Sequence, residues 1–188
     1  MSVNAVVIKI ASRCNLNCSY CYMYNHADQS YLRQPKIMSE SVYTAAMETM
    51  LNHSKQQGTH HKFALIMHGG EPTLVGVRRF RWFVETARSI LGERLMLVAI
   101  QTNALLLNPN WAQLFQELEV TVSVSLDGTA EQHDAFRVDH QGKGSHQRTV
   151  DGINVLHEQG VQTRIICVAN PAARGDLTYK HFRQLGIT

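Results

Sequence analysis

Three of the four cysteines fall within residues 14–21, which read CNLNCSYC. Thiolates at the spacing CxxxCxxC can converge on one inorganic centre. Three chemistries fit these residue types. A tetrahedral zinc site needs a fourth ligand, and His26 is the nearest candidate. A redox pair would use Cys18 and Cys21 as CxxC. A [4Fe–4S] cluster normally takes four cysteines, so three leave one iron open, as a cluster that binds a small molecule requires. The fourth cysteine, Cys167, lies among Ile165, Ile166 and Val168 and reads as a core residue.

These residues need a scaffold, and the sequence supplies one. Five β-branched or apolar runs occupy residues 5–10 (AVVIKI), 63–67 (FALIM), 95–100 (LMLVAI), 120–126 (VTVSVSL) and 164–168 (RIICV). Most are too continuous for a strand with one wet face and read as strands buried on both faces. Segments of helical period lie between them. Ser39 is a plausible N-cap for residues 40–57, with Val42, Ala45, Ala46, Met50 and Leu51 as its apolar stripe. Residues 77–91 place Phe80, Phe83, Val84, Ala87, Ile90 and Leu91 on one face. Asn108-Pro109 has the form of an N-cap followed by proline at the first helical position, opening a helix through Leu118. Residues 150–159 and 179–185 complete the set. Alternating strands and helices specify an α/β fold of parallel βαβ units with right-handed crossovers.

On this scaffold the polar chemistry collects at strand exits. The cysteine loop follows the first strand, and His68-Gly69-Gly70-Glu71-Pro72 follows the second. Gln101-Thr102-Asn103 follows the third, and Asp127-Gly128 the fourth. Parallel α/β proteins hold their sites at the carboxyl ends of strands. Paired glycines let main chain approach a ligand closely, and Pro72 removes a donor and stiffens the exit.

Composition narrows the classes. The net charge of +3, from 18 Lys and Arg against 15 Asp and Glu, gives no argument for nucleic acid or membrane binding. No apolar run approaches the ~20 residues of a membrane span. Residues 5–10 are too short for a signal-peptide core and no basic segment precedes them. A reducing, cytoplasmic setting is expected, where clustered cysteines are not a disulfide framework.

The CNLNCSYC motif, with Tyr20 just before the third cysteine, resembles the radical S-adenosylmethionine superfamily. Gly69-Gly70-Glu71-Pro72, Gln101-Thr102-Asn103, Ser125-Leu126-Asp127-Gly128, His133-Asp134, Arg137 and Gly142-Lys143-Gly144 extend the resemblance across residues 7–185. Within the superfamily it is most similar to the SPASM-type peptide and protein maturases. These include the anaerobic sulfatase-maturating enzymes and the cross-linking maturases of ribosomal peptides. Residues 21–29 (CYMYNHADQ) with His68 lean towards the second group, since the first typically has Gln at the His68 position.

The resemblance implies a partial parallel (β/α) barrel, with about five βα units present and a sixth expected beyond residue 188. Residues 1–188 are expected to be an incomplete core domain, with the cysteine-rich SPASM domain absent. Cys14, Cys18 and Cys21 would ligate a [4Fe–4S] cluster whose open iron binds S-adenosylmethionine. Main-chain groups of Gly69, Gly70 and Glu71 would meet the ligand's amino group. Arg137 would pair with its carboxylate, a match for a guanidinium fork. Ser125 would also contact the ligand. Gln101 and Asn103 are expected to face the same cavity. Tyr20 is expected to cover the cluster and His68 to lie where substrate sits. His60 and His61 read as solvated, and Arg78, Arg79 and Arg81 as a solvated helix face. The implied partners are a peptide or protein substrate and a one-electron reductant such as flavodoxin or ferredoxin. The implied reaction is reductive cleavage of S-adenosylmethionine, giving a radical that modifies a side chain. A truncated, non-catalytic module that binds an iron–sulfur cluster or peptide is the alternative.

Overall fold

The computed structural model describes residues 3–58 and 60–187. Among these residues five strands form one sheet: β1 (Ala5–Ala11), β2 (Phe63–Gly69), β3 (Leu95–Thr102), β4 (Thr121–Ser125) and β5 (Thr163–Ile166). All neighbours are parallel and the order is β1-β2-β3-β4-β5. Each new strand therefore joins the outer edge of the one before it. Among the described residues six α-helices connect and cover the strands: α1 (Glu40–Gln57), α2 (Val77–Leu91), α3 (Pro109–Glu117), α4 (Ala130–Asp134), α5 (His146–Glu158) and α6 (Gly175–Gln184). Among the described residues no helix is long and apolar enough to cross a membrane.

Helix starts follow their sequence signals. The Ser39 side chain accepts from Val42 N. Asn108 accepts from Asn110 N and Trp111 N, with Pro109 at the first turn. Both satisfy donors that an uncapped helix would leave open. The short α4 escapes periodicity analysis because it is barely one turn. It is held instead by a capping box between Thr129 and Gln132.

The strands are less symmetrically buried than their apolar runs predict. In β2 the residues Phe63, Leu65, Met67 and Gly69 are buried, while Ala64, Ile66 and His68 are half-buried. The buried alternates face the helices, where Tyr43, Met47, Phe80, Phe83, Val84, Phe115 and Leu156 complete the core. The other alternates line the concave face, where Gln101 and Ser125 border a cavity. At the outer edge the difference is larger. Ile166 is 52% exposed and Val168 45%, and Cys167 between them is only half-buried, not a core residue. β5 pairs on one side only, with β4, so its apolar residues lack the second neighbour an interior strand has.

α1 also departs from expectation. It buries Tyr43, Met47, Met50 and Ser54, whereas Val42 is 56% exposed. The stripe is turned because the large ring of Tyr43 packs on Phe83 and Trp82. Ser54 tolerates burial by donating to the His61 carbonyl and accepting from Arg94. His60 is exposed, but the ring of His61 packs edge-on against Phe63 and is half-buried. α2 buries Phe80, Phe83, Val84, Ala87 and Leu91 as its period predicts. On its outer face Arg81 pairs with Glu85 and Glu117, and Arg79 with Glu40.

Phe83 has no solvent exposure and sits where α1, α2 and β2 meet. Phe83→Ala is expected to lower unfolding free energy by about 3–5 kcal/mol. Chemical denaturation measures this. A loss under about 1 kcal/mol would mean that the junction repacks around the smaller side chain.

Candidate functional site

The cysteine loop leaves β1 and is fixed on three sides. Asn17 N and Ser19 N donate to the carbonyls of Val138 and Phe136 at 2.8 and 3.0 Å. Asn25 Nδ2 donates to the Cys18 carbonyl at 2.7 Å. Asn103 Nδ2 donates to Asn15 Oδ1 at 2.7 Å, and His140 Nε2 lies 3.0 Å from the Cys14 carbonyl. The third strand's exit and the segment after α4 thus shape a loop distant from both in sequence.

Gly69 and Gly70 make the fourth contact. Gly70 N donates to the Ala11 carbonyl at 2.9 Å, and Glu71 N to the Arg13 carbonyl at 2.8 Å. A Cβ on Gly69 would lie 2.2 Å from the Ala11 carbonyl oxygen. One on Gly70 would lie 2.3 Å from that of Arg13. The close approach that requires glycine here is to the protein's own cysteine loop.

Glu71 is buried, and its carboxylate points into the protein. It accepts from Thr73 N and Oγ1, from Thr102 Oγ1 and from Asn103 N. Burial pushes this carboxyl up and the four donors oppose that shift. Glu71 therefore ties β2 to β3, and its carboxylate is not left for a ligand. Asn103 is likewise committed, since its Oδ1 accepts from Leu105 N.

The cavity enclosed by these exits has a volume of about 500 Å³. Cys14, Cys18 and Cys21 line it together with Gly69, Gly70, Glu71, Gln101, Asn103, Ser125 and Arg137. All ten candidate residues thus converge on one space. His68 and Tyr20 also line it, and Tyr22, Tyr24 and Met23 add apolar wall. Gln101 Nε2 donates to Ser125 Oγ at 2.8 Å, while Gln101 Oε1 and the Tyr24 hydroxyl are buried without a partner among the described residues. Such orphaned groups are costly unless a ligand meets them. Tyr24 stands within the stretch CYMYNHADQ, three residues after Cys21, but no local pattern marks its hydroxyl as part of a site.

Arg137 reaches the cavity as one half of an ion pair. Its Nε and Nη2 donate to Asp127 Oδ2 and Oδ1 at 2.7 and 3.2 Å. Tyr20 donates its hydroxyl to Asp127 Oδ2 at 2.5 Å. Burial works against charge on both partners, and their mutual attraction wins: the Asp127 carboxyl is held below, and the Arg137 guanidinium above, its ordinary range. Behind them Asp127 N donates to His133 Nδ1, His133 Nε2 meets Ser145 Oγ at 2.9 Å, and Ser145 donates to the Arg137 carbonyl. A neutral His133 with its proton on Nε2 satisfies this chain. A second proton would set N–H against N–H.

Burial pushes the Cys14 thiol up to about 12 and raises Cys18, against the pull of Arg137. At Cys14 and Cys18 a bare thiolate is therefore disfavoured, and ionisation there calls for a cationic centre to supply the compensating charge. Among the described residues no three His, Cys, Asp or Glu side chains form a group able to hold a metal ion. His26 does not line this cavity. A cluster takes each thiolate on a separate iron, and three thiols around a cavity of this size fit that donor set.

A parallel α/β sheet with a cysteine-lined cavity at the carboxyl ends of its strands defines a cofactor-using class of protein. The chain belongs to the radical SAM superfamily, whose family model matches residues 8–185. It is 31% identical over 186 residues to the cysteine-type anaerobic sulfatase-maturating enzyme of Clostridium novyi, covering 97% of this chain and 48% of that protein. It is 31% identical over 167 residues to the serine-type enzyme of Bacteroides thetaiotaomicron, covering 88% of this chain and 39% of that protein. The structure of native anSMEcpe with bound AdoMet and Kp18Cys peptide superposes with a TM-score of 0.81 at 28% identity, over 97% of this chain and 49% of that one. The chain therefore spans about half the length of these relatives or less. They lie on the sulfatase-maturating side of the branch, not on the cross-linking side towards which His68 leans.

Two outcomes are expected. Gly70→Ala should displace the Arg13 main chain and lower iron bound after anaerobic reconstitution several-fold; unchanged iron would show that the loop adapts. Burial also lowers the His133 pKa to about 4. The unfolded chain, titrating near 6.5, binds more protons between these values. Stability is then complete above about pH 6.5 and is lost towards pH 4, on the order of 3 kcal/mol in all. Unfolding midpoints at pH 7.5 and 5 check this, and His133→Gln should flatten the difference.

Proposed function

We propose that the protein reductively cleaves S-adenosylmethionine at a [4Fe–4S] cluster to modify a side chain of a peptide or protein substrate. The observation that carries this is the convergence of three loop thiols and the orphaned Gln101 Oε1 on one cavity. When bound, the cluster and S-adenosylmethionine supply one-electron cleavage of a C–S bond and a carbon radical that abstracts hydrogen.

The chain's own residues bind, orient and shield. Cys14, Cys18 and Cys21 hold the cluster as thiolates. The main chain at Gly69, Gly70 and Glu71 receives the ligand's amino group, and Arg137 its carboxylate. Ser125 O–H and Gln101 Oε1 offer an adjacent donor and acceptor. Leu16, Tyr22, Met23, Ile166 and Val168 give the same cavity an apolar lining, which strengthens polar contacts made within it. A peptide or protein substrate is supported by the peptide-bound relative, and a reductant of the flavodoxin or ferredoxin class would deliver the electron. An oxygen-sensitive cluster suits a reducing cytoplasm. In this reading residues 1–188 are the cofactor-binding core, and the SPASM portion lies outside them.

The test is anaerobic reconstitution with iron and sulfide, followed by strong reductant and S-adenosylmethionine. Roughly four irons per chain and 5′-deoxyadenosine above a no-protein control are expected. A Cys14→Ala, Cys18→Ala, Cys21→Ala variant should lose both. Iron binding equal to that of the unaltered protein would sink the assignment. Cluster binding without 5′-deoxyadenosine would leave a non-catalytic module.

A further inference from the structure

We propose that Asp127 is a positioning residue that fixes the edge Arg137 presents to the ligand's carboxylate and ties that edge to the cysteine loop. This rests on the cavity being the S-adenosylmethionine site. Four donors from three separate segments meet on the Asp127 carboxylate. They are the Tyr20 hydroxyl from the cysteine loop, Nε and Nη2 of Arg137, and Val168 N at 2.9 Å from the exit of β5. A carboxylate has about four lone-pair positions, so Asp127 is saturated and has none left for a ligand. Its side chain is 3% exposed. Its work is therefore done through the groups it holds.

The fork on Asp127 sets the plane of the guanidinium. The guanidinium carbon lies over the Tyr20 ring, 5.4 Å from its centroid, and Ser145 pins the Arg137 carbonyl. Arg137 keeps little freedom, and the edge bearing Nη1 is the one not matched to Asp127. The pair is neutral overall. A ligand carboxylate is then recognised by the aim of that edge, not by a surplus of positive charge.

Two roles for Asp127 predict opposite results. If it only neutralised Arg137, Asp127→Asn would unmask a cation and tighten binding of the carboxylate ligand. If it aims Arg137, the same change weakens binding, because Asn offers an N–H where the carboxylate accepted one.

The experiment measures anaerobic binding of S-adenosylmethionine and of decarboxylated S-adenosylmethionine to the cluster-loaded protein by calorimetry. The affinity ratio isolates the carboxylate, which a general loss of structure would not do. A ratio of at least about tenfold is expected for the unaltered protein, falling within about threefold in Asp127→Asn. Arg137→Lys keeps the charge but lacks the second edge, and should lose the ratio with iron content unchanged. It serves if Asp127→Asn does not fold. An unaltered ratio or tighter binding in Asp127→Asn, or an intact ratio in Arg137→Lys, overturns the proposal. Failure of the unaltered protein to bind S-adenosylmethionine at all overturns instead the reading of the cavity on which it stands.

Discussion

Two main-chain hydrogen bonds, from Gly70 N to the Ala11 carbonyl and from Glu71 N to the Arg13 carbonyl, seat the cysteine loop against the exit of β2. They require the backbones to touch, which a Cβ on either glycine would prevent. The rest of the site depends on that contact. It fixes where Cys14 starts, and so where the loop can meet Asn103, His140 and the residues after α4. It also turns the chain so that Glu71 enters the protein and binds the end of β3. A short stretch of glycine thus joins the fold to the chemistry.

The floor of the site is built from buried polar groups, and each is answered. Glu71 has four donors, Asp127 has four, and His133 bridges two partners. A partly satisfied network of this kind would cost more than an apolar core, because each unpaired group carries its full desolvation penalty. Satisfied, it holds side chains in single orientations. Among the described residues that line the cavity, the unanswered atoms are Gln101 Oε1 and the Tyr24 hydroxyl, and they are at its wall, not in the floor.

Much of this is readable in the sequence. The five strands announce themselves because parallel strands between helices leave apolar runs, and Asn108-Pro109 marks a helix start through its own hydrogen bonds. The ten candidate residues share a cavity because βα topology gathers strand exits at one end. What escapes the sequence depends on neighbours far along the chain. The roles of Glu71 and Asn103 as ties become visible only when β2 and β3 are adjacent. The exposure of Cys167 follows from the edge position of β5, which no local pattern encodes. The stripe of α1 is turned by the bulk of Tyr43 against α2, where tertiary packing overrides the simple count of apolar residues.

The sequential strand order has a consequence for assembly. Each strand pairs with the one made just before it, so the sheet can be laid down unit by unit as the chain is synthesised. The cysteine loop is different. Tyr20 is bonded to a residue 107 positions later, and Cys14 to one 126 positions later. The cysteine loop therefore waits for four βα units before its thiols are held in place. An inorganic centre held by these thiols would then load late, on a scaffold that forms first and in a pocket that closes last.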